Sequence, residues 1–243
     1  MDTQYIFGIR AIQEALAAGR EIDKVIAKKG LQGDLYKALQ ATCKEHDIRI
    51  QYVDPEVLER ITTSNHQGVI AFMSPVDYQK LEDVLPAIVA KGEQPFLVVL
   101  DGITDVRNFG AIARSAECAG AHAIVISEKG SAPVNAEAVK TSAGALHRLP
   151  VCRVKNMFYA LKLMQQEGLK IVAVTEKGAT PYYETPLQGP VALILGSEDK
   201  GISPQNIKVA DVNTLIPLKG NIESLNVSVA AGILFFEIVR QRQ

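Results

Sequence analysis

The stretch Thr214–Glu237, TLIPLKGNIESLNVSVAAGILFFE, passes from a short apolar run through a polar loop into a long apolar segment. Leu215-Ile216-Pro217-Leu218 reads as the end of a strand, and Gly220 and Asn221 supply the bend. Ser224 stands where a helix N-cap belongs, and Leu225, Val229, Ile233 and Phe236 recur at helical spacing, predicting a buried helix. A strand, a tight polar loop and a buried helix make one half of a ligand crevice in an α/β sheet. Taken alone, the stretch is better read as a strand and helix that only pack.

Two segments upstream change that. Leu193-Ile194-Leu195-Gly196-Ser197-Glu198-Asp199-Lys200-Gly201 is an apolar run that breaks into an acidic turn flanked by glycines. Further upstream, residues 100–116 read LDGITDVRNFGAIARSA. These three segments, in this order, closely resemble the three signature motifs of the SpoU ribose methylases, within the knotted SPOUT superfamily. The resemblance covers roughly Pro95 to the C-terminus and, more weakly, the region before it. One such segment is a weak signal; three in order are specific. The resemblance implies a parallel-sheet methyltransferase domain with a C-terminal trefoil knot and S-adenosylmethionine as cofactor. It also implies a structured RNA as substrate and a homodimer with its site near the subunit interface.

Composition sets outer bounds. The chain has 243 residues, 47% of them hydrophobic, enough to bury one large core or two modest ones. No uninterrupted apolar run is long enough to span a bilayer, and MDTQYIFG has neither the charged nor the apolar part of a signal peptide. Cys43, Cys118 and Cys152 are odd in number and widely spaced, as expected of buried or inert thiols in a reducing cytoplasm. The net charge of −1 does not advertise a nucleic-acid binder, although a local basic face is compatible with a neutral total.

The chain divides into three regions: 1–75, 76–94 and 95–243. In the first, Ile6, Ile9, Ile12 and Leu16 predict a helix ended near Gly19. Lys24–Ala27 reads as a strand, a helix runs through Leu35, Leu39 and Cys43, and Ile48–Val53 alternates as a half-buried strand. Asp54 caps a further helix with Pro55 at its first position, and Gly68–Met73 closes the unit as a strand. This small α/β domain resembles the ribosomal-protein-like substrate-binding domain that precedes many SpoU methylase domains, and Asn65-His66-Gln67-Gly68 matches a turn found there. His66 is otherwise a turn histidine, and Lys24, Lys28 and Lys29 a solvated edge unless the domain meets RNA phosphates.

The middle region, punctuated by Pro75, Pro86 and Pro95, reads as a linker containing one amphipathic segment, Leu81–Ala90. Beyond it strands and helices alternate. Strands fall at Phe96–Leu100, His122–Ser127, Val151–Val154, Lys170–Thr175, Val191–Leu195 and Asn213–Ile216. Helices fall at Phe109–Ala119, Asn135–Gly144, Asn156–Glu167, after Pro204 and at the end. Such alternation predicts a parallel sheet covered on both faces.

Several chemistries are excluded directly. The sequence contains neither nucleotide-binding glycine fingerprint, and Gly196-Ser197-Glu198 lacks the pattern of a hydrolase nucleophile elbow. His46, His66, His122 and His147 show no metal-ligand spacing, so no metal is expected.

Methyl transfer to a ribose needs a cofactor slot, an aimed hydroxyl and a stabiliser for the charge growing on its oxygen. Leu195-Gly196, Ile216-Pro217-Leu218 and Leu225-Asn226 offer aliphatic walls rimmed by backbone donors and acceptors, and Gly196 allows close approach. The resemblance makes Gly196, Ile216 and Leu225 cofactor-lining, with Leu195, Leu218 and Thr175 beside them; ordinary core packing is the alternative for each. Asn108 is by default a helix cap, and Arg114 by default a surface arginine lying over the Ile112, Ala113, Ala116 stripe. The resemblance makes Arg114 the central catalytic residue, as general base or as a clamp on an RNA phosphate. A guanidinium stays protonated, so the clamp makes the smaller demand. Glu198 is otherwise a loop carboxylate; by resemblance it holds the arginine or orients the ribose. Ser224 and Asn226 combine helix capping with a hydroxyl and an amide offered to the ligand.

The resulting expectation is a cytoplasmic, homodimeric, S-adenosylmethionine-dependent RNA ribose 2′-O-methyltransferase. Its implied substrate is a guanosine in large-subunit ribosomal RNA, with transfer RNA as the alternative. A non-catalytic RNA-binding protein on the same fold is the rival from another class, and a generic nucleotide-binding α/β enzyme the third reading.

Overall fold

A computed structural model of the chain describes residues 5–46 and 48–243, so Met1–Gln4 and Asp47 of the expected leading domain lie outside the described residues. The chain divides into two compact units, one running to Asp77 and joined by Val134–Ala136, the other comprising the rest from Tyr78.

The first unit holds β1 (Tyr5–Phe7), α1 (Ile9–Ala17), β2 (Ile22–Lys28), α2 (Asp34–Glu45), β3 (Arg49–Val53), α3 (Pro55–Ile61) and β4 (Val69–Met73). The strands form one sheet in the order β1-β4-β2-β3. β2 and β3 are parallel, whereas β4 runs antiparallel to β1 and β2. Ile12, Leu16, Val25, Leu39 and Cys43 build the main core under α1 and α2. Leu58 of α3 covers Ile26 and Ile70 on the other face. Ile6, expected in the first helix, lies on β1 instead; Gly8, at φ 88°, breaks the chain before α1 starts at Ile9. Asp54 sits at the N-cap position of α3 but makes no capping bond, because its carboxylate pairs with Lys29 at 3.0 Å.

The second unit opens with α4 (Leu81–Ala90), followed by β5 (Phe96–Asp101), α5 (Val106–Cys118), β6 (Ala123–Ser127), α6 (Ala136–Thr141), β7 (Val151–Val154), α7 (Met157–Gln166) and β8 (Lys170–Val174). Then come the very short β9 (Thr180–Pro181), β10 (Val191–Gly196), α8 (Pro204–Ile207), β11 (Val212–Leu215) and α9 (Val227–Gln241). The sheet order is β7-β6-β5-β10-β8-β11-β9, and every neighbouring pair is parallel. All strands therefore deliver their following loops to the same end of the sheet. α4 is core rather than spacer: Leu81, Val84, Leu85 and Ile88 are buried in the same cluster as Leu97, Val125 and Ile194.

The expectation about α9 needs correction. The stripe expected to be buried is exposed at Val229 (51%) and Phe236 (53%), while Ala231, Leu234, Phe235, Ile238 and even Glu237 face inward. Glu237 is tolerated there because Arg240 donates to both its carboxylate oxygens, at 2.8 and 2.7 Å, and Gln241 donates to Oε1 at 2.7 Å. Those bonds hold its pKa below the usual carboxylate range, against the opposing effect of burial. Cys43 and Cys152 are buried, with pKa values pushed up to about 11 and about 12 by burial, but Cys118 is exposed.

At the opposite end of the sheet from those loops, His122 accepts the Phe96 N–H on Nδ1 at 3.0 Å and meets Glu93 through Nε2 at 3.1 Å. Burial holds the His122 pKa below its ordinary value, and Glu93 opposes that shift. Because the folded state resists protonating this ring, its contribution is present above the unfolded pKa of about 6.5 and lost as pH falls. Thermal stability should therefore drop between about pH 7 and pH 5, and less steeply in His122→Gln. Equal slopes for the two proteins by calorimetry would contradict this assignment.

Candidate active site

The site begins with a backbone collision that only glycine avoids. β10 ends at Gly196, where a Cβ would lie 2.1 Å from the Gly201 carbonyl carbon and 2.2 Å from the Ile202 nitrogen. The chain between them folds into a tight turn: Gly201 N–H donates to Ser197 O at 2.8 Å, and Lys200 N–H to Ser197 Oγ at 3.2 Å. Asp101, at the end of neighbouring β5, secures the turn's exit by accepting from Ser203 N–H at 2.7 Å and from the Asn206 amide at 2.9 Å, both on Oδ2. Glu198 is thereby carried at the tip of a loop anchored on both sides.

α5 starts two residues earlier than Asn108. Asp105 is its N-cap, accepting the Asn108 N–H at 2.8 Å, so Asn108 lies in the first turn with its amide free for another use. That use is explicit. Asn108 Nδ2 donates to Glu198 Oε1 at 3.0 Å, and Asn226 Nδ2 donates both to Asn108 Oδ1 at 3.0 Å and to Glu198 Oε1 at 2.9 Å. Asn226, not Ser224, is the N-cap of α9: its Oδ1 accepts from Ser228 N–H at 2.9 Å and from the Ser228 hydroxyl at 2.6 Å. One residue from each of the three motifs thus meets in a closed triangle. Glu198 Oε2 takes no hydrogen bond among the described residues.

Beside the triangle lies a cavity of about 370 Å³. Leu195, Gly196 and Glu198 line it from β10 and its turn, and Thr175 from the end of β8. Ile216, Leu218, Ser224 and Leu225 line it from the segment between β11 and α9. Leu218 and Leu225 are partly exposed, at 41% and 38%, which suits walls that close on a ligand better than core positions. The cavity is of the size, and has the mix of aliphatic walls and sparse polar groups, that a nucleoside-bearing cofactor needs. Sequence reasoning missed Glu176 and Lys177, which also line it, and Asp101 and Asp105, which anchor it. No motif marks β8, whose place beside β10 is known only from the sheet order. Gly178 lets the turn after β8 press onto β11, since a Cβ there would lie 2.6 Å from the Thr214 carbonyl carbon.

Arg114 stands apart. It is exposed on α5, does not line the cavity, and makes no hydrogen bond or ion pair among the described residues. Ile112, Ala113 and Ala116 are buried as expected. Six residues separate Arg114 from Asn108, about 9 Å along the helix and well round its circumference, so with Asn108 in the triangle the guanidinium points elsewhere. Among the described residues no group of three His, Cys, Asp or Glu side chains is placed to hold a metal.

The family model described as SpoU rRNA Methylase family matches residues 95–236, and one described as RNA 2′-O ribose methyltransferase substrate binding matches residues 5–79. The chain belongs to the SpoU rRNA methylase family. It is 36% identical over 242 residues to the 23S rRNA (guanosine-2′-O-)-methyltransferase RlmB of Escherichia coli K12, covering 99% of each chain. It is 34% identical over 239 residues to YacO of Bacillus subtilis, a putative TrmH family tRNA/rRNA methyltransferase, covering 98% of this chain and 96% of that one. Among solved structures, an AdoMet-bound rRNA methyltransferase from Sinorhizobium meliloti superposes with a TM-score of 0.63 at 26% identity, covering 98% of this chain and 87% of that chain. The protein is an S-adenosylmethionine-dependent RNA ribose 2′-O-methyltransferase of this family.

The Gly196 contact generates a direct test. Overpacking at such a point costs about 1–3 kcal/mol, so Gly196→Ala should lower Tm by roughly 2–12 °C. Because Gly196 also lines the cavity, the same variant should bind S-adenosylmethionine roughly 5- to 150-fold more weakly by calorimetry, from a loss of that size. Wild-type cofactor affinity in this variant would show that the cavity is not the cofactor site.

Proposed function

We propose that this protein methylates the ribose 2′-hydroxyl of a guanosine in 23S ribosomal RNA, as a homodimer in the cytoplasm. The observation that carries the reading is the Asn108–Glu198–Asn226 triangle, which joins all three motifs at the rim of the cavity. The full-length match to RlmB supports the choice of RNA and nucleotide. No helix among the described residues is long and apolar enough to cross a membrane, which is compatible with a cytoplasmic site of action.

Leu195, Gly196, Ile216, Leu218, Leu225 and Thr175 hold the cofactor, which when bound supplies an electrophilic methyl on sulfonium sulfur. Glu198, oriented by the two asparagine amides, offers Oε2 to the incoming ribose and accepts a hydrogen bond from its hydroxyl. Ser224 lines the cavity and Asn226 holds Glu198 at its edge, which narrows the positions open to the sugar. The Arg114 guanidinium clamps an RNA phosphate, placing the hydroxyl and stabilising negative charge on its oxygen.

A second copy of the chain supplies the contacts that the single chain does not bring together. Ile222 (79% exposed), Leu225, Val229 and Phe236 form an exposed apolar surface running from the cavity wall along α9, suited to burial against another copy. This mechanism requires an interface there to bring Arg114 of one copy to the cofactor site of the other. Phe236→Glu should accordingly yield monomers in sedimentation velocity, with methyl transfer lost; an unchanged dimer would place the interface elsewhere.

Arg114→Ala is the sharper test of mechanism. Loss of one preorganised charge-stabilising donor costs about 10²–10³ in rate. Methyl transfer to large-subunit RNA should fall by at least that factor while calorimetry shows S-adenosylmethionine binding unchanged. Undiminished transfer would remove Arg114 from the mechanism. Mapping alkali-resistant linkages in RNA from cells with and without the gene would separate the ribosomal substrate from transfer RNA, the other substrate that YacO's description carries.

A further inference from the structure

On the sheet face that α3 only partly covers, the first unit carries aromatic and basic side chains that the methyl-transfer site does not use. Ile22 pairs with Met73 and Lys24 with Phe72, so β2 contains a bulge at Asp23. The bulge lets Ile22 join Val25 and Ala27 in the core beneath α1 and α2, and turns Lys24 to the opposite face with Ile26. On that face the registers Tyr5↔Phe72, Lys24↔Phe72 and Lys24↔Arg49 place four side chains in one row across all four strands. Three strand gaps make the row roughly 14 Å wide.

The row is continuous. The rings of Tyr5 and Phe72 lie 6.4 Å apart, and Lys24 Nζ sits 5.1 Å from the Phe72 centroid. Phe7, two residues along β1 and on the same side as Tyr5, extends it with a ring separation of 6.5 Å. α3 covers the neighbouring part of the face, and the Tyr5 hydroxyl donates to Ile61 O at 3.2 Å, fixing that ring's position. Tyr5 and Phe72 are partly buried, each with its ring packed against the core beneath α3, whereas Phe7 stays 36% exposed and outside that core and Arg49 is exposed at the other end. Lys29, grouped by sequence with Lys24 as a phosphate contact, is instead committed to Asp54.

Aromatic rings beside cations on a pleated face suit single-stranded nucleic acid, whose bases stack while its phosphates meet the charges. A duplex offers phosphates but no free base faces. We propose that this face of the first unit binds an unpaired stretch of the substrate RNA, with Phe7 and the Tyr5–Phe72 pair contacting bases and Lys24 and Arg49 contacting phosphates. This rests on the RNA-methyltransferase reading above and adds the feature of the RNA that this unit selects.

The test uses the full chain with a short oligouridine and a blunt RNA duplex of equal length as probes, read by fluorescence anisotropy across a salt series. Phe7→Ala should weaken oligouridine binding roughly 5- to 150-fold, the range of one base–aromatic stack. Lys24→Gln with Arg49→Gln should reduce the slope of log affinity against log salt by about 1.4, the share of two single-strand phosphate contacts. S-adenosylmethionine binding, measured in parallel, should not move in either variant, and an unchanged far-ultraviolet circular dichroism spectrum reports that the first unit folds in both. Wild-type oligouridine affinity and slope in both variants, or a wild-type preference for the duplex, overturns the proposal while leaving the methyltransferase reading intact. A wild-type protein that binds neither probe and does not methylate large-subunit RNA sinks both.

Discussion

Backbone meets backbone at Gly196, and the site depends on that contact. A side chain there would overlap the Gly201–Ile202 peptide, so only glycine lets β10 turn back within five residues. The turn closes on itself through Ser197 and is held below by the Asp101 carboxylate, which bonds both the Ser203 amide and the Asn206 side chain. Glu198 then has little choice of position. It meets Asn108 and Asn226 at distances of 2.9–3.0 Å, and the same turn forms one wall of the cavity.

The parallel sheet explains why three remote segments can cooperate at all. β5, β10, β8 and β11 run in one direction, so residues following Asp101, Gly196, Val174 and Leu215 emerge at one end. The Asn108–Glu198–Asn226 hydrogen bonds are exposed and therefore contribute little to global stability. Their consequence is positional. They fix the start of α5, the start of α9 and the acidic turn relative to one another. Asn226 does this while capping α9 through its other side-chain atom, so the helix start and the site share a single residue.

The first unit obeys a different logic. Its mixed four-stranded sheet buries one face under two helices and only part of the other under α3, leaving aromatic and basic side chains in register across the remainder. A single bulge separates the needs of Ile22, which belongs in the core, from those of Lys24, which does not. In the second unit, by contrast, the central strands β5, β6 and β10 are buried along nearly their whole length, and the candidate site is built from the loops and helix starts beyond the strand ends.

The succession of strands and helices along the chain, the parallel sheet and part of the cavity lining were legible in the sequence. Long apolar runs such as Phe96–Leu100 and Val191–Leu195 have few structural alternatives, and the three motifs mark the loops after β5, β10 and β11. The chain pattern could not decide the rotation of α9. Phe236 looked inward by hydrophobicity, yet Glu237 is the buried residue because Arg240 and Gln241 satisfy its carboxylate, and such partners become visible only in three dimensions. Likewise Asp105 caps α5 where Asn108 was expected, and of the two candidates Ser224 and Asn226 it is Asn226 that caps α9, choices that pattern cannot resolve but hydrogen-bond geometry does. By itself the sequence determined which residue types stand after which strands. Only the tertiary structure decided which of them meet, because strand order and helix rotation are settled by contacts between residues remote in the chain.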